Sequence, residues 1–108
     1  MKNVNVFVDV DLTLVDAFGK PIEGAAEGVR RLRDSGCHLF LWSTGGGEYA
    51  EAVARRMKIH DCFEAFLPKP DIVIDDSPKS LRGFFDFVPA NQDEWEELVA
   101  TIIRKHVD

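Results

Sequence analysis

Apolar residues recur along this chain in short runs and in helical stripes, and the two kinds alternate. Val4, Val6, Phe7 and Val8 read as a buried strand. Residues 39–42 (Leu-Phe-Leu-Trp), 72–74 (Ile-Val-Ile) and 84–88 around Asp86 read the same way, and residues 63–67 form a fifth run. Each is short and rich in β-branched or aromatic side chains, which favours strand over buried helix. Between them lie stripes with helical spacing. Ile22, Ala25, Ala26, Val29 and Leu32 fall on one helix face, and Ser35-Gly36 ends it. Tyr49, Val53 and Met57, spaced by four with Ala50 and Ala54 beside them, predict a second helix. Trp95, Leu98, Val99, Ile102 and Ile103 predict a last one, with Asn91 or Asp93 as its cap and Glu94, Glu96 and Glu97 at the positive end of its dipole.

The predicted order is β-α-β-α-β-β-turn-β-α. Such alternation implies an α/β fold, a Rossmann-like three-layer sandwich on a mainly parallel five-stranded sheet. At 108 residues the chain suits a single domain, residues 1–108, with one core. Ligands of such sheets bind at the carboxyl ends of the strands. That is where the polar residues gather. Asp9-Val10-Asp11-Leu12-Thr13 follows the first strand, and Ser43-Thr44-Gly45 follows the second. Pro68-Lys69-Pro70 precedes the 72–74 run, and Asp75-Asp76 follows it.

Charge narrows the function. Thirteen Lys and Arg against nineteen Asp and Glu leave a net charge of −6. An acidic chain is a poor general nucleic-acid binder and a poor ligand for an anionic membrane. No run approaches the ~20 apolar residues of a membrane span. The first ten residues, followed at once by Asp11, do not read as a signal peptide. Cys37 and Cys62 make neither a disulfide framework nor a zinc site. The expected setting is a reduced cytoplasm. His38, His60 and His106 have no ligand spacing. Trp42 and Trp95 are expected in the core, and the glycines at 45–47 match no phosphate loop and read as a turn.

Four carboxylates converging beside one lysine repel strongly in a low-dielectric crevice. A hard divalent cation with oxygen ligands relieves this, and Mg²⁺ takes one or two carboxylates, several waters and a substrate phosphate. An aspartate can attack phosphorus and form an aspartyl-phosphate. A second acid two residues on can protonate the leaving oxygen and then activate water. A hydroxyl, an ammonium and backbone amides can hold the phosphoryl oxygens.

Asp9-x-Asp11-x-Thr13 after an apolar strand resembles the first motif of the haloacid dehalogenase-like hydrolase superfamily. Ser43 at a strand end, then Lys69, then Asp75-Asp76 after 72–74 resemble its second, third and fourth motifs in order. The resemblance implies a nucleophile and Mg²⁺ ligand in Asp9. It implies a general acid/base in Asp11, with its main-chain carbonyl on the metal. Thr13 would support the loop. Ser43, with Thr44 one position on, would bind a phosphoryl oxygen, and Lys69 would neutralise the nucleophile and its phosphorylated form. Asp75 would complete the metal site, with Asp76 as the second acid. An aspartate at the second position resembles the phosphatases and phosphomutases of that superfamily. Hydrolysis of a phosphate monoester is therefore the expected activity.

Leu12 stands where many members carry glycine. Six extended residues span roughly 20 Å, so for both Lys69 and Asp75 to reach one crevice, the lysine must come from a loop folding back over it or reach in from its edge. Neither usual insertion point leaves space for a cap domain. The site is expected to stand open to a bulky phosphorylated substrate, unless a neighbouring copy in a homo-oligomer covers it. Two other classes use similar residues. One is a phosphoacceptor signalling module with an acidic Mg²⁺ pocket, which would need a lysine after its fifth strand. The other is a non-catalytic interaction domain on the same scaffold.

Overall fold

A computed structural model describes residues 3–76, 88–90 and 94–108. Its sheet has three strands, β1 (Asn5–Asp9), β2 (His38–Ser43) and β3 (Phe63–Pro68), all parallel and in the order β1-β2-β3. Helices α1 (Ala25–Asp34) and α2 (Gly47–Arg56) make the crossovers, and a short 3-10 turn, His60–Cys62, leads into β3. Right-handed crossovers that step in one direction across a sheet put both helices on the same face. Helix α3 (Trp95–Ile102) follows, and the chain widens into a π-type turn at Ile103–Val107.

Alternation along the strands sorts the side chains. Val8, Leu39, Leu41 and Ser43 point into the core with Ala25, Val29 and Leu32 of α1 and Ala50, Val53 and Ala54 of α2. Phe7, Asp9, Phe40 and Trp42 take the other face, where Phe7 stacks on Phe40 and meets Trp42 edge-on. This face is only partly covered, and Phe7 is 48% exposed. Helix α3 buries Trp95, Val99 and Ile102. It approaches α1 closely because residue 28 is glycine: a Cβ there would stand 2.6 Å from Trp95 Cε3.

Helix α1 stops where Ser35-Gly36 predicts. Gly36 adopts φ +96°. Its N–H donates to the Arg33 carbonyl at 2.9 Å and that of Cys37 to the Leu32 carbonyl at 3.1 Å. This paired closure uses a left-handed glycine to satisfy the last carbonyls. Both cysteines are free and buried.

The five-stranded expectation reduces to three strands among the described residues. Residues 72–74 are not a strand, and Ile72 and Ile74 are 81% and 96% exposed. The cause is chain length. Only residues 69–71 separate this run from the end of β3. A parallel return needs a crossover of about a dozen residues or more. The 84–88 run lies outside the described residues except for Val88, which is exposed and unpaired in any strand. The expected caps Asn91 and Asp93 also lie outside them. Among the described residues no helix is long and apolar enough to cross a membrane.

Candidate active site

The site is built where the three strands end. Asp9 closes β1 and is in register with Trp42 of β2, which is in register with Leu67 of β3. Lys69 lies two residues past Leu67, so strand alternation turns it to the same face as Asp9 and Trp42. Its backbone N–H donates to the Ser43 carbonyl at 3.0 Å, which prolongs the β2–β3 ladder by one bond. Pro68 and Pro70 have no N–H to offer, so Lys69 is the one donor of that tripeptide. Its side chain passes over the Trp42 ring, with Nζ 5.8 Å from the centroid, and ends 3.1 Å from Asp9 Oδ1. Lysine and aspartate side chains are 33% and 35% exposed.

Lys69 thus reaches Asp9 from the top of β3 and not from the foot of a following strand.

The loop after β1 folds back on itself. The Val10 carbonyl accepts from the N–H groups of Thr13, Leu14 and Val15 at 3.2, 2.8 and 3.3 Å. Leu12 takes φ +61°, the left-handed region. A side chain in that region costs about 1 kcal/mol or more. Thr13 Oγ1 donates to Asp9 Oδ2 at 3.4 Å, a long bond. The Thr13 carbonyl in turn accepts from Trp95 Nε1 at 3.0 Å, so α3 holds the loop from below. Further on, Asp16 Oδ1 accepts from the backbone of Phe18 and Lys20, each at 2.9 Å, which stiffens the turn above the site.

Ser43 ends β2 and is buried. Its Oγ accepts from Gly45 N–H at 3.0 Å, leaving its own hydrogen to donate. It is not the cap of α2; Gly46 holds that position with no side-chain bond. Thr44 faces solvent. Asp11 is exposed, and its Oδ1 accepts from the Tyr49 hydroxyl at 2.6 Å. That bond, with a little burial, holds the Tyr49 phenol above its ordinary range.

The structure therefore brings Asp9, Thr13 and Lys69 together, with Ser43 at the neighbouring strand end and Asp11 tied to α2. Asp75 and Asp76 are exposed. Among the described residues no three His, Cys, Asp or Glu side chains form a group spaced for a metal ion. The oxygens of Asp9 and Asp11 nonetheless suit a hard cation held by one or two carboxylates, the rest of its shell being water and phosphate. Tyr49 and Trp42 are the participants that sequence reasoning missed. Tyr49 fits the core stripe of α2 by spacing, and Trp42 reads as core by type.

No family model, no curated protein and no solved structure matches the chain.

Proposed function

We propose that this protein hydrolyses a phosphate monoester through an aspartyl-phosphate on Asp9, with Mg²⁺ as its cofactor. The observation that supports this most is the 3.1 Å approach of Lys69 Nζ to Asp9 Oδ1, made by residues from two strands at the carboxyl end of a parallel sheet. A lysine there offsets the charge that gathers on an attacking aspartate and its phosphoryl group.

Asp9 attacks phosphorus, forming a P–O bond as the bond to the leaving alcohol breaks. Asp11 gives its proton to the leaving oxygen. The Asp11 carboxylate then takes a proton from water, whose oxygen attacks phosphorus and releases Asp9 and inorganic phosphate. Ser43 donates its hydroxyl hydrogen to a phosphoryl oxygen, with Thr44 beside it at the surface. Lys69 holds another. Asp9 and the Asp11 carbonyl would hold Mg²⁺, with Asp75 and Asp76 completing its shell. The cation supplies charge neutralisation at the phosphoryl oxygens. A cytoplasmic setting and an uncapped site open to a bulky phosphorylated substrate belong to the same proposal.

The test is hydrolysis of p-nitrophenyl phosphate with Mg²⁺, with chelator, and by Asp9→Asn. Chelation should stop turnover, and Asp9→Asn should lower kcat by on the order of 10³ or more. An Asp9→Asn protein as active as wild type refutes the proposal.

A further inference from the structure

The run Gly45-Gly46-Gly47 is left unexplained by phosphate chemistry, yet each glycine has its own structural reason. Gly46 adopts φ +101°. At Gly47 a Cβ would stand 2.6 Å from the Phe66 carbonyl oxygen, so α2 starts hard against β3. At Gly45 a Cβ would stand 2.9 Å from Tyr49 Cδ2 and 3.3 Å from its Cγ. The Tyr49 ring fills the space that any other residue at 45 would take.

Tyr49 is 38% exposed, although its spacing from Val53 and Met57 places it in a core stripe. Its ring rests on Gly45 and its hydroxyl donates to Asp11 Oδ1 at 2.6 Å. Both ends of the side chain are fixed, and the fixed hydroxyl meets the one acid proposed to move protons.

We infer that Tyr49 is a positioning residue that aims the Asp11 carboxyl at the leaving group; this rests on the phosphatase reading above. A general acid works only within hydrogen-bond reach of the atom it protonates. Asp11 sits exposed on a loop, where its carboxyl has several orientations. A bond from α2, a rigid element, selects one of them. The phenol keeps its proton throughout and engages Oδ1. That leaves Oδ2 to carry the proton that passes to the leaving oxygen, and later to receive one from water. Asp9 and Arg56 are the other charged groups acting on this pair.

Leaving-group chemistry separates aiming from mere support. Phenolate is a poorer leaving group than p-nitrophenolate and depends more on protonation. Wild type, Tyr49→Phe and Asp9→Asn are compared as full-length protein on phenyl phosphate and p-nitrophenyl phosphate, with Mg²⁺. Tyr49→Phe should lower kcat about tenfold on phenyl phosphate and about threefold or less on p-nitrophenyl phosphate, with KM changed little. Gly45→Ala keeps the hydroxyl but displaces the ring, and should show the same selectivity. It also serves if Tyr49→Phe folds poorly. Equal losses on the two esters, or none, overturn the assignment. Turnover that does not depend on Asp9 overturns the phosphatase reading, and the role of Tyr49 falls with it.

Discussion

Replacing Lys69 with methionine separates chemistry from stability at one position. Lys69→Met keeps the apolar stem over Trp42 and removes the charge beside Asp9. A unit pair about 4 Å apart is worth about 4 kcal/mol at an effective dielectric of ~20 and about 1 kcal/mol in bulk water. Both side chains are about a third exposed, so the pair lies toward the aqueous limit and contributes about 1 kcal/mol to folding. The cation over the Trp42 ring adds about 0.5–1 kcal/mol. The folding cost is then about 1–2 kcal/mol, a melting point lower by roughly 5–15 °C for a chain of this size. The catalytic cost is larger. Removing one preorganised donor from a site of developing charge lowers kcat by about 10²–10³. The assay pairs kcat/KM on p-nitrophenyl phosphate at 25 °C with thermal unfolding followed by circular dichroism. A folded Lys69→Met protein keeping a third or more of wild-type kcat/KM would refute the role given to Lys69. So would activity lost only as the temperature nears the melting point.

Two more expectations follow from contacts around the site. Gly28→Ala should lower the melting point, although alanine is the better helix former by about 1 kcal/mol, because its Cβ would stand 2.6 Å from Trp95 Cε3 and 3.1 Å from Val99 Cγ2. Overpacking of this kind costs about 1–3 kcal/mol, and a raised melting point would contradict the α1–α3 packing. Tyr49 is the only tyrosine, so ultraviolet titration of the metal-free protein reads it alone. It should ionise above its ordinary value of 10.0, and Asp11→Asn should bring it down. Because the folded value is raised, the stability it contributes is present below pH ~10 and lost as pH climbs through the folded value. An unchanged titration in Asp11→Asn would deny the contact.

The three strands and three helices were legible because each carries its own period. Val29 and Leu32 mark the buried face of α1, and Val99 and Ile102 that of α3. Residues 72–74 show where the pattern misleads. An apolar run of this kind reads as a strand from composition, but pairing also depends on what the chain can reach. Three intervening residues do not return it to a parallel position. The strand-end positions of Asp9, Ser43 and Lys69 followed from the run boundaries alone. The path by which Lys69 meets Asp9 did not, since it depends on a side chain lying over Trp42, and Trp42 looks like core. Tyr49 was hidden for the opposite reason. Its spacing matches Val53 and Met57, and only the tertiary approach of Asp11 turns it outward.

The bond from Trp95 Nε1 to the Thr13 carbonyl joins residues 82 positions apart. Closing so long a loop has a large entropic cost, although that cost grows only slowly with length. Contacts between β1, α1 and β2 are far more local and should form earlier in folding. The loop bearing Asp11 and Thr13 would therefore reach its final shape among the last parts of the chain, when α3 docks. Partial opening that releases α3 would disorder that loop while the sheet stays intact. Amide hydrogen exchange should then find Thr13 and Leu14 exchanging with α3, well ahead of Leu39 and Leu41 in β2.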